Sequence, residues 1–144
     1  MSARGATLLG FDYGRRRIGV AVGNTLTGSA GALVTLEARE GAPDWAQITA
    51  LIEEWRPARL VVGVPYNADG SRGDLAEEAL RFSRRLFGRY DIPVDTIDES
   101  FSSADAADRL RTSRREGRRP KVDKPALDSA AAAVILQSWL ENHG

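Results

Sequence analysis

The sequence predicts a mixed α/β fold, in which one sheet of antiparallel and parallel strands carries helices on its faces. Two observations support this prediction. Three apolar segments joined by short glycine-containing turns open the chain, and strand-like segments then alternate with helical ones through the second half. Short turns are typical of antiparallel neighbours, whereas strand-helix-strand alternation implies right-handed crossovers between parallel strands.

The three opening segments supply the antiparallel part of the predicted sheet. They cover about residues 7–12, 17–23 and 31–37, and each is rich in residues that favour strands. Gly14 marks the first turn, and glycines around Thr27 mark the second. We therefore expect an antiparallel meander.

Helices and strands alternate after this meander. The segment APDWAQITALIEEWRP predicts a helix, because its large apolar residues recur every three or four positions between two prolines. The apolar run RLVVGVP predicts a buried strand, and a second helix is predicted from about Asp74 to Phe87. The run IPVDTID then predicts a last strand, which ends at Asp98 and Glu99.

Two further helices complete the prediction. The segment SSADAADRLR predicts a short helix, and PALDSAAAAVILQSWLE predicts an alanine-rich helix that begins at a proline. Between them, residues 112–124 are rich in Arg and Lys and predict a mobile loop. The element order is therefore β-β-β-α-β-α-β-α-α, with five strands, and we expect residues 1–144 to form one domain.

The composition restricts the chemistry available to the chain. There is no cysteine, and the only histidine is His143, so thiolate zinc sites and cysteine nucleophiles are excluded. Glycine-rich dinucleotide and phosphate-loop motifs are also absent. An enzyme of this composition must rely on carboxylates. The net charge of zero does not by itself indicate a nucleic-acid-binding protein. Neither a secretion signal nor a membrane-spanning segment is evident, so we expect a cytoplasmic protein without a membrane partner.

Acidic residues at the ends of the predicted elements are the candidates for catalysis. Asp12 ends the first strand, although taken alone it is better explained as a cap of the following glycine turn. The pair Asp98 and Glu99 ends the last strand, and because side chains alternate, the pattern leaves open which of the two faces the site. A solvated strand end is the alternative explanation for that pair.

Asp128 is the most informative of these acids. In the final helix it shares an apolar stripe with Ala131, Ala132, Ile135 and Trp139, which is the side expected to pack on the sheet. An acid that only complements the helix dipole would more naturally be exposed. Three acids at converging element ends describe an oxygen-ligand site for Mg²⁺ or Mn²⁺, and two such ions can stabilise both oxygens of a phosphodiester displacement.

Four segments of the chain resemble, in order and spacing, the motifs of the YqgF family of bacterial RNase H-like proteins, which are related to Holliday-junction resolvases. These segments are FDYGRRRIGVAVGN, VVGVPYNADGS, DESFSS and KPALDSAAAAVILQSWL. The resemblance implies an RNase H-like fold with helices on both faces of the sheet, a metal-dependent nuclease, and a role in maturing the 5′ end of precursor 16S rRNA. It implies that Asp12, Glu99 and Asp128 are the catalytic and metal-binding residues. Where the family usually has arginine after Glu99, this chain has Ser100.

Basic and polar residues around these acids are the candidates for substrate binding. Asn67, with Gly70 and Ser71, follows a buried strand and could offer donors to a phosphate, although an ordinary turn explains the pattern equally well. The basic candidates lie beside Asp12 and in the loop before Asp128, and they are Arg15, Arg16, Arg17, Arg114, Arg115, Arg118, Arg119, Lys121 and Lys124.

Three hypotheses of function follow. The first is a nuclease that acts on precursor 16S rRNA or the pre-ribosome, as a monomer or weak homodimer. The second is a structure-selective nuclease for branched DNA. The third is a non-catalytic nucleic-acid-binding factor in ribosome assembly, which the serine at position 100 keeps open.

Overall fold

The computed structural model describes residues 5–40, 42–67, 69–99 and 124–143. The strands are β1 (Thr7–Asp12), β2 (Arg17–Asn24), β3 (Ser29–Arg39), β4 (Ala42–Pro43), β5 (Arg59–Val64) and β6 (Val94–Asp98). The helices are α1 (Trp45–Trp55), α2 (Asp74–Tyr90) and α3 (Lys124–His143). The helix predicted over SSADAADRLR and most of the basic loop fall outside the described residues.

The strands form one mixed sheet in the order β4-β3-β2-β1-β5-β6. The first four strands pair antiparallel, whereas β5 and β6 join β1 in parallel. This confirms the predicted arrangement of a meander followed by parallel strands. The sheet has one strand more than predicted, because Ala42–Pro43 adds a two-residue β4 at the edge. Two residues are too few to show an apolar alternation, and proline is tolerated on an edge strand.

The two faces of the sheet carry different helices. Leu9 and Phe11 of β1 point to the face covered by α1 and α2, where they pack with side chains such as Ile48 and Phe82. Leu8 points to the opposite face and packs against α3. This alternation is the ordinary consequence of strand geometry. It confirms the prediction of helices on both faces and assigns every even-numbered residue of β1, Asp12 included, to the α3 face.

Helix ends follow from local chemistry. Asp44 caps α1 by accepting a hydrogen bond from the backbone N–H of Gln47. Helix α2 continues three residues past its predicted end, to Tyr90, and closes at Asp91 in the left-handed conformation. In the part of the chain that the structure describes, no helix is both long and apolar enough to cross a membrane.

Glycines let α3 approach the sheet closely. A Cβ added at Gly10 would lie 2.9 Å from the Cβ of Leu136, and one at Gly63 would lie 2.5 Å from Cδ1 of Ile135. Both distances are too short for real side chains, so the helix occupies the space that larger residues would fill. At the far end of α3, Trp139 donates a hydrogen bond of 2.8 Å to Asp95 of β6. Helix α3 is thereby fixed across the sheet.

Candidate active site

Asp12 lies at the end of β1 between two glycines. Its partners in the neighbouring strands are Gly19 of β2 and Gly63 of β5. The side chain of Asp12 points to the α3 face, and neither partner places a side chain there. The space around the Asp12 carboxyl group is therefore open to groups that approach from above the sheet.

Glu99 reaches this space from the end of β6. Its side chain is buried, with 9% exposure, and it shares a hydrogen bond with the carboxyl group of Asp12. A Cβ at Gly63 would lie 3.4 Å from the Cβ of Glu99, so the glutamate lies directly over this glycine. Asp98 is exposed. The structure thus places Glu99, and not Asp98, beside Asp12.

Asp128 approaches from the other side, in the second turn of α3. A Cβ at Gly19 would lie 2.0 Å from the backbone oxygen of Asp128, so the helix backbone rests on this glycine. The Nε of Arg17 donates a hydrogen bond of 2.7 Å to Oδ2 of Asp128. Arg17 and Gly19 are two positions apart in β2 and therefore share a face. One carboxylate oxygen of Asp128 is thereby engaged by an arginine.

The proximity of these acids changes the protonation of Asp12. Its pKa rises from 3.8 to about 9, chiefly because burial disfavours the charged form. The hydrogen bond with Glu99, the negative charge of Glu99 and that of Asp128 raise it further. At neutral pH the Asp12 carboxyl group therefore keeps its proton. A cation at this position would have the opposite effect, since positive charge favours the carboxylate.

The donor set fits a hard divalent ion. Three carboxylates offer oxygen ligands of the kind that Mg²⁺ and Mn²⁺ prefer, and glycines at positions 19 and 63 let Asp128 and Glu99 lie close to the sheet. In the residues described, however, no group of three or more His, Cys, Asp or Glu side chains has the arrangement of a formed metal site. One difference from such a site is that an oxygen of Asp128 already forms an ion pair with the guanidinium group of Arg17.

A cavity of about 340 Å³ lies beside Asp128. It is lined by Asp128, by Leu75 of α2, and by the turn between β1 and β2, which contributes Gly14, Arg15, Arg16 and Arg17. Positive side chains thus surround the approach to Asp128, as an anionic substrate requires.

Comparison with known proteins identifies the family. The family model described as "RuvX: Holliday junction resolvase" matches residues 6–142. The chain belongs to the RuvX family. The resemblance seen in the four sequence segments is thereby confirmed. Because relatives in this family are named as nucleases, the chain is classed as a hydrolase of phosphodiester bonds.

Relatives of high identity cover nearly the whole chain. A protein of Pseudomonas paraeruginosa, named "Putative pre-16S rRNA nuclease", is 48% identical over 137 residues, which is 94% of this chain and 92% of that protein. A protein of Pseudomonas putida with the same name is 48% identical over 134 residues, 93% of this chain and 94% of its own length.

Solved structures show the same fold at low identity. RuvC of T. thermophilus, solved in complex with a Holliday junction substrate, matches with a TM-score of 0.58 and 17% identity, and 96% of each chain is covered. The fowlpox virus Holliday junction resolvase matches with a TM-score of 0.57 and 11% identity, over 94% of this chain and 99% of that one. The RuvX chain therefore has the RuvC-like fold.

The turn after β5 is closed by its own hydrogen bonds. The side-chain amide of Asn67 donates to the hydroxyl group of Ser71 at 3.0 Å, and the backbone N–H of Gly70 donates to the backbone oxygen of Asn67 at 2.9 Å. These contacts are those of an ordinary turn. Contact between Asn67 and a substrate phosphate stays a prediction.

Of the predicted basic residues, two form ion pairs, one is exposed, and the side chains of the others are not described. Arg15 pairs with Glu78 of α2, with Nε 2.9 Å from Oε2, whereas Arg16 is exposed. Arg17 pairs with Asp128, as described. Lys124 begins α3, but its side chain is not described. Ser100 lies outside the described residues. So do the remaining basic candidates, which are Arg114, Arg115, Arg118, Arg119 and Lys121.

Sequence reasoning did not identify the role of Gly19 and Gly63. A signal existed, because a glycine inside a buried strand, as in RLVVGVP, marks close approach by another group. The pairing of Arg17 with Asp128 was also missed, since 111 positions separate the two residues.

Proposed function

We propose that this RuvX chain cleaves phosphodiester bonds at the 5′ end of precursor 16S rRNA, with Asp12, Glu99 and Asp128 at the reaction centre and Mg²⁺ or Mn²⁺ as the cofactor. The observation that carries the proposal is the buried contact of Asp12 with Glu99, where burial first and this contact second raise the pKa of Asp12 to about 9. Strongly shifted carboxyl groups in a crowded cluster are typical of functional sites. The RNA substrate is inferred from the names of the relatives in two Pseudomonas species.

The proposal gives a role to the three acids and to the residues around them. Asp12, Glu99 and Asp128 would hold the ion, which lowers the pKa of water and neutralises charge on a phosphate when it is bound. Asp12 would release its proton as the ion binds. Arg17 would release one oxygen of Asp128 to the ion, and Gly19 and Gly63 let Asp128 and Glu99 lie close to the sheet beside Asp12.

Cleavage of precursor 16S RNA by purified protein tests this proposal. With Mg²⁺ or Mn²⁺ present, we expect Asp12→Asn and Glu99→Gln to lower the rate by roughly 10² to 10⁴ fold, the range for loss of a catalytic group. Asp98→Asn is the matched control, because it removes an adjacent but exposed carboxylate and should keep the rate. Folded Asp12→Asn protein that cleaves at the wild-type rate would refute the proposal.

A structure-selective DNA nuclease is the second candidate. The family description names Holliday junction resolvase activity, and RuvC of the same fold was solved with a junction. Parallel assays on precursor RNA, a four-way DNA junction and duplex DNA separate the two candidates. Binding of precursor RNA without any cleavage would instead favour the non-catalytic assembly factor.

The remaining proposals concern the state of the protein. We propose that residues 1–144 act as one nuclease domain in the cytoplasm, where ribosome precursors are processed, as a monomer or weak homodimer. Light scattering at several protein concentrations measures the last point.

A further inference from the structure

A second cavity lies on the opposite face of the sheet from Asp12. It has a volume of about 510 Å³ and extends from the β1–β2 turn to α2. Tyr13 and Phe82 form its apolar base and are 6% and 2% exposed. The turn between β1 and β2 contributes residues to both this cavity and the one that contains Asp128.

Arginines give this cavity its charge. Arg81 and Arg85 both line it from α2, four positions apart and therefore on the same side of the helix. Within the described residues neither forms an ion pair, although Arg15, Arg17, Arg59 and Arg72 all do. Two guanidinium groups one helical turn apart repel each other unless an anion lies between them.

The acidic residues of the cavity do not balance these charges. Glu78 is engaged by Arg15, with Nε contacts of 3.0 Å and 2.9 Å to its two oxygens. Among the described residues of the lining, Glu40 is then the one further carboxylate. The excess is positive, and guanidinium groups bind phosphate with two parallel hydrogen bonds.

Arg15 connects the two cavities. It lines the one that contains Arg81 and Arg85, and it also lines the one that contains Asp128. A strand that passes Asp128 can therefore continue over the β1–β2 turn, past Arg15, and reach Arg81 and Arg85 on α2.

We propose that Arg81 and Arg85 form a second phosphate-binding site, which holds the nucleic-acid strand at a nucleotide removed from the bond that is cut. The inference rests on the proposed nuclease function and deepens it, because it assigns a strand path across the turn. It predicts that affinity depends on the length of the strand beyond the cleavage site.

Binding of fluorescent single-stranded RNA to full-length protein tests this site. All variants carry Asp12→Asn so that no RNA is cut, and RNA of about 6 and about 20 nucleotides is titrated over a range of salt. We expect Arg81→Gln and Arg85→Gln each to weaken binding of the longer RNA roughly tenfold, the size expected for one charged hydrogen bond, and to leave the shorter RNA unchanged. The slope of the salt dependence should fall by about 0.7 for each phosphate that the protein no longer neutralises.

Arg84→Gln is the matched control. Arg84 lies on the same helix but lines a different cavity, with Phe87 and Asp95. Equal weakening by Arg84→Gln would show a general charge effect and overturn the proposal, as would unchanged affinity in Arg81→Gln and Arg85→Gln. The same titrations with a DNA junction, together with cleavage by protein that retains Asp12, distinguish failure of this site from failure of the RNA substrate assignment.

Discussion

Replacing Asp12 with asparagine tests the electrostatics of the acid cluster without any nucleic acid. The pKa of Asp12 is about 9 in the folded protein, against 3.8 for an aspartate in water, which represents the unfolded chain. Between these values the folded state binds a proton that the unfolded state does not. The free energy of unfolding of the wild type therefore falls as pH rises through this window, and it levels off above about pH 9.

The size of the effect follows from the shift. One pKa unit corresponds to about 1.4 kcal/mol, and pH 7 lies about three units above the ordinary value, so the upper limit is about 4 kcal/mol. Penetration of water and movement of Glu99 would relieve part of the free-energy cost of ionising Asp12. We therefore expect Asp12→Asn to stabilise the protein by about 1 to 3 kcal/mol at pH 7. Asparagine has the shape of aspartic acid but no proton to lose.

Urea unfolding without divalent ions measures this gain. The wild type, Asp12→Asn and the exposed control Asp98→Asn are compared at about pH 5, pH 7 and pH 8.5, where urea midpoints report stability. The gain from Asp12→Asn should increase with pH, by at most about 1.4 kcal/mol per unit, whereas Asp98→Asn should show no such increase. A gain that is the same at each pH, or a loss of stability, would refute the assigned protonation of Asp12.

Three further predictions concern the same region. Mn²⁺ should raise the melting temperature of the wild type, more at high pH because the ion displaces a proton, and Asp12→Asn should abolish the shift; an equal shift in both proteins would place the ion elsewhere. Arg17→Ala should change stability by less than about 1 kcal/mol, because Arg17 and Asp128 are each about 30% exposed, yet calorimetry should show tighter Mn²⁺ binding once Asp128 is released. Weaker binding would mean that Arg17 holds Asp128 in its ligand position. Gly19→Ala should cost about 3 kcal/mol or more in chemical unfolding, because its Cβ would meet the Asp128 backbone, whereas Gly31→Ala, with no atom within 4 Å, should cost little.

Local sequence patterns were sufficient to predict most of the fold. The apolar spacing of α1 and the continuous apolar run of β1 indicate which side chains are buried, so the elements and their order follow from short windows. The two-residue β4 could not be predicted, because its pairing with Arg39 and Ala38 depends on where β3 turns. The extension of α2 to Tyr90 depends on the cap at Asp91, which the apolar period does not show.

The candidate site was predicted less completely. The apolar stripe around Asp128 predicted a helix side packed on the sheet, and Ala132, Ile135 and Trp139 of that stripe do pack there. The choice of Glu99 over Asp98 needed the family resemblance, because the alternation of side chains along a strand does not show which of two neighbouring residues faces the site. The placement of Asp12 between Gly19 and Gly63 depends on the register of three strands, and register is set by packing between segments far apart in the chain.

The wide spacing of the acids along the chain has a consequence for folding. Asp12 and Glu99 lie on strands on either side of β5, and Asp128 joins them only when α3 has docked on the glycines of the sheet. Contacts across such long loops form slowly and late, because the entropy of closing the loop is lost before the contact is gained. A partly folded chain can hold the meander and α1 and still lack the third acid. If the three acids form the reaction centre as proposed, nuclease activity requires the docking of α3, and a chain whose α3 has not yet docked on the sheet would be inactive.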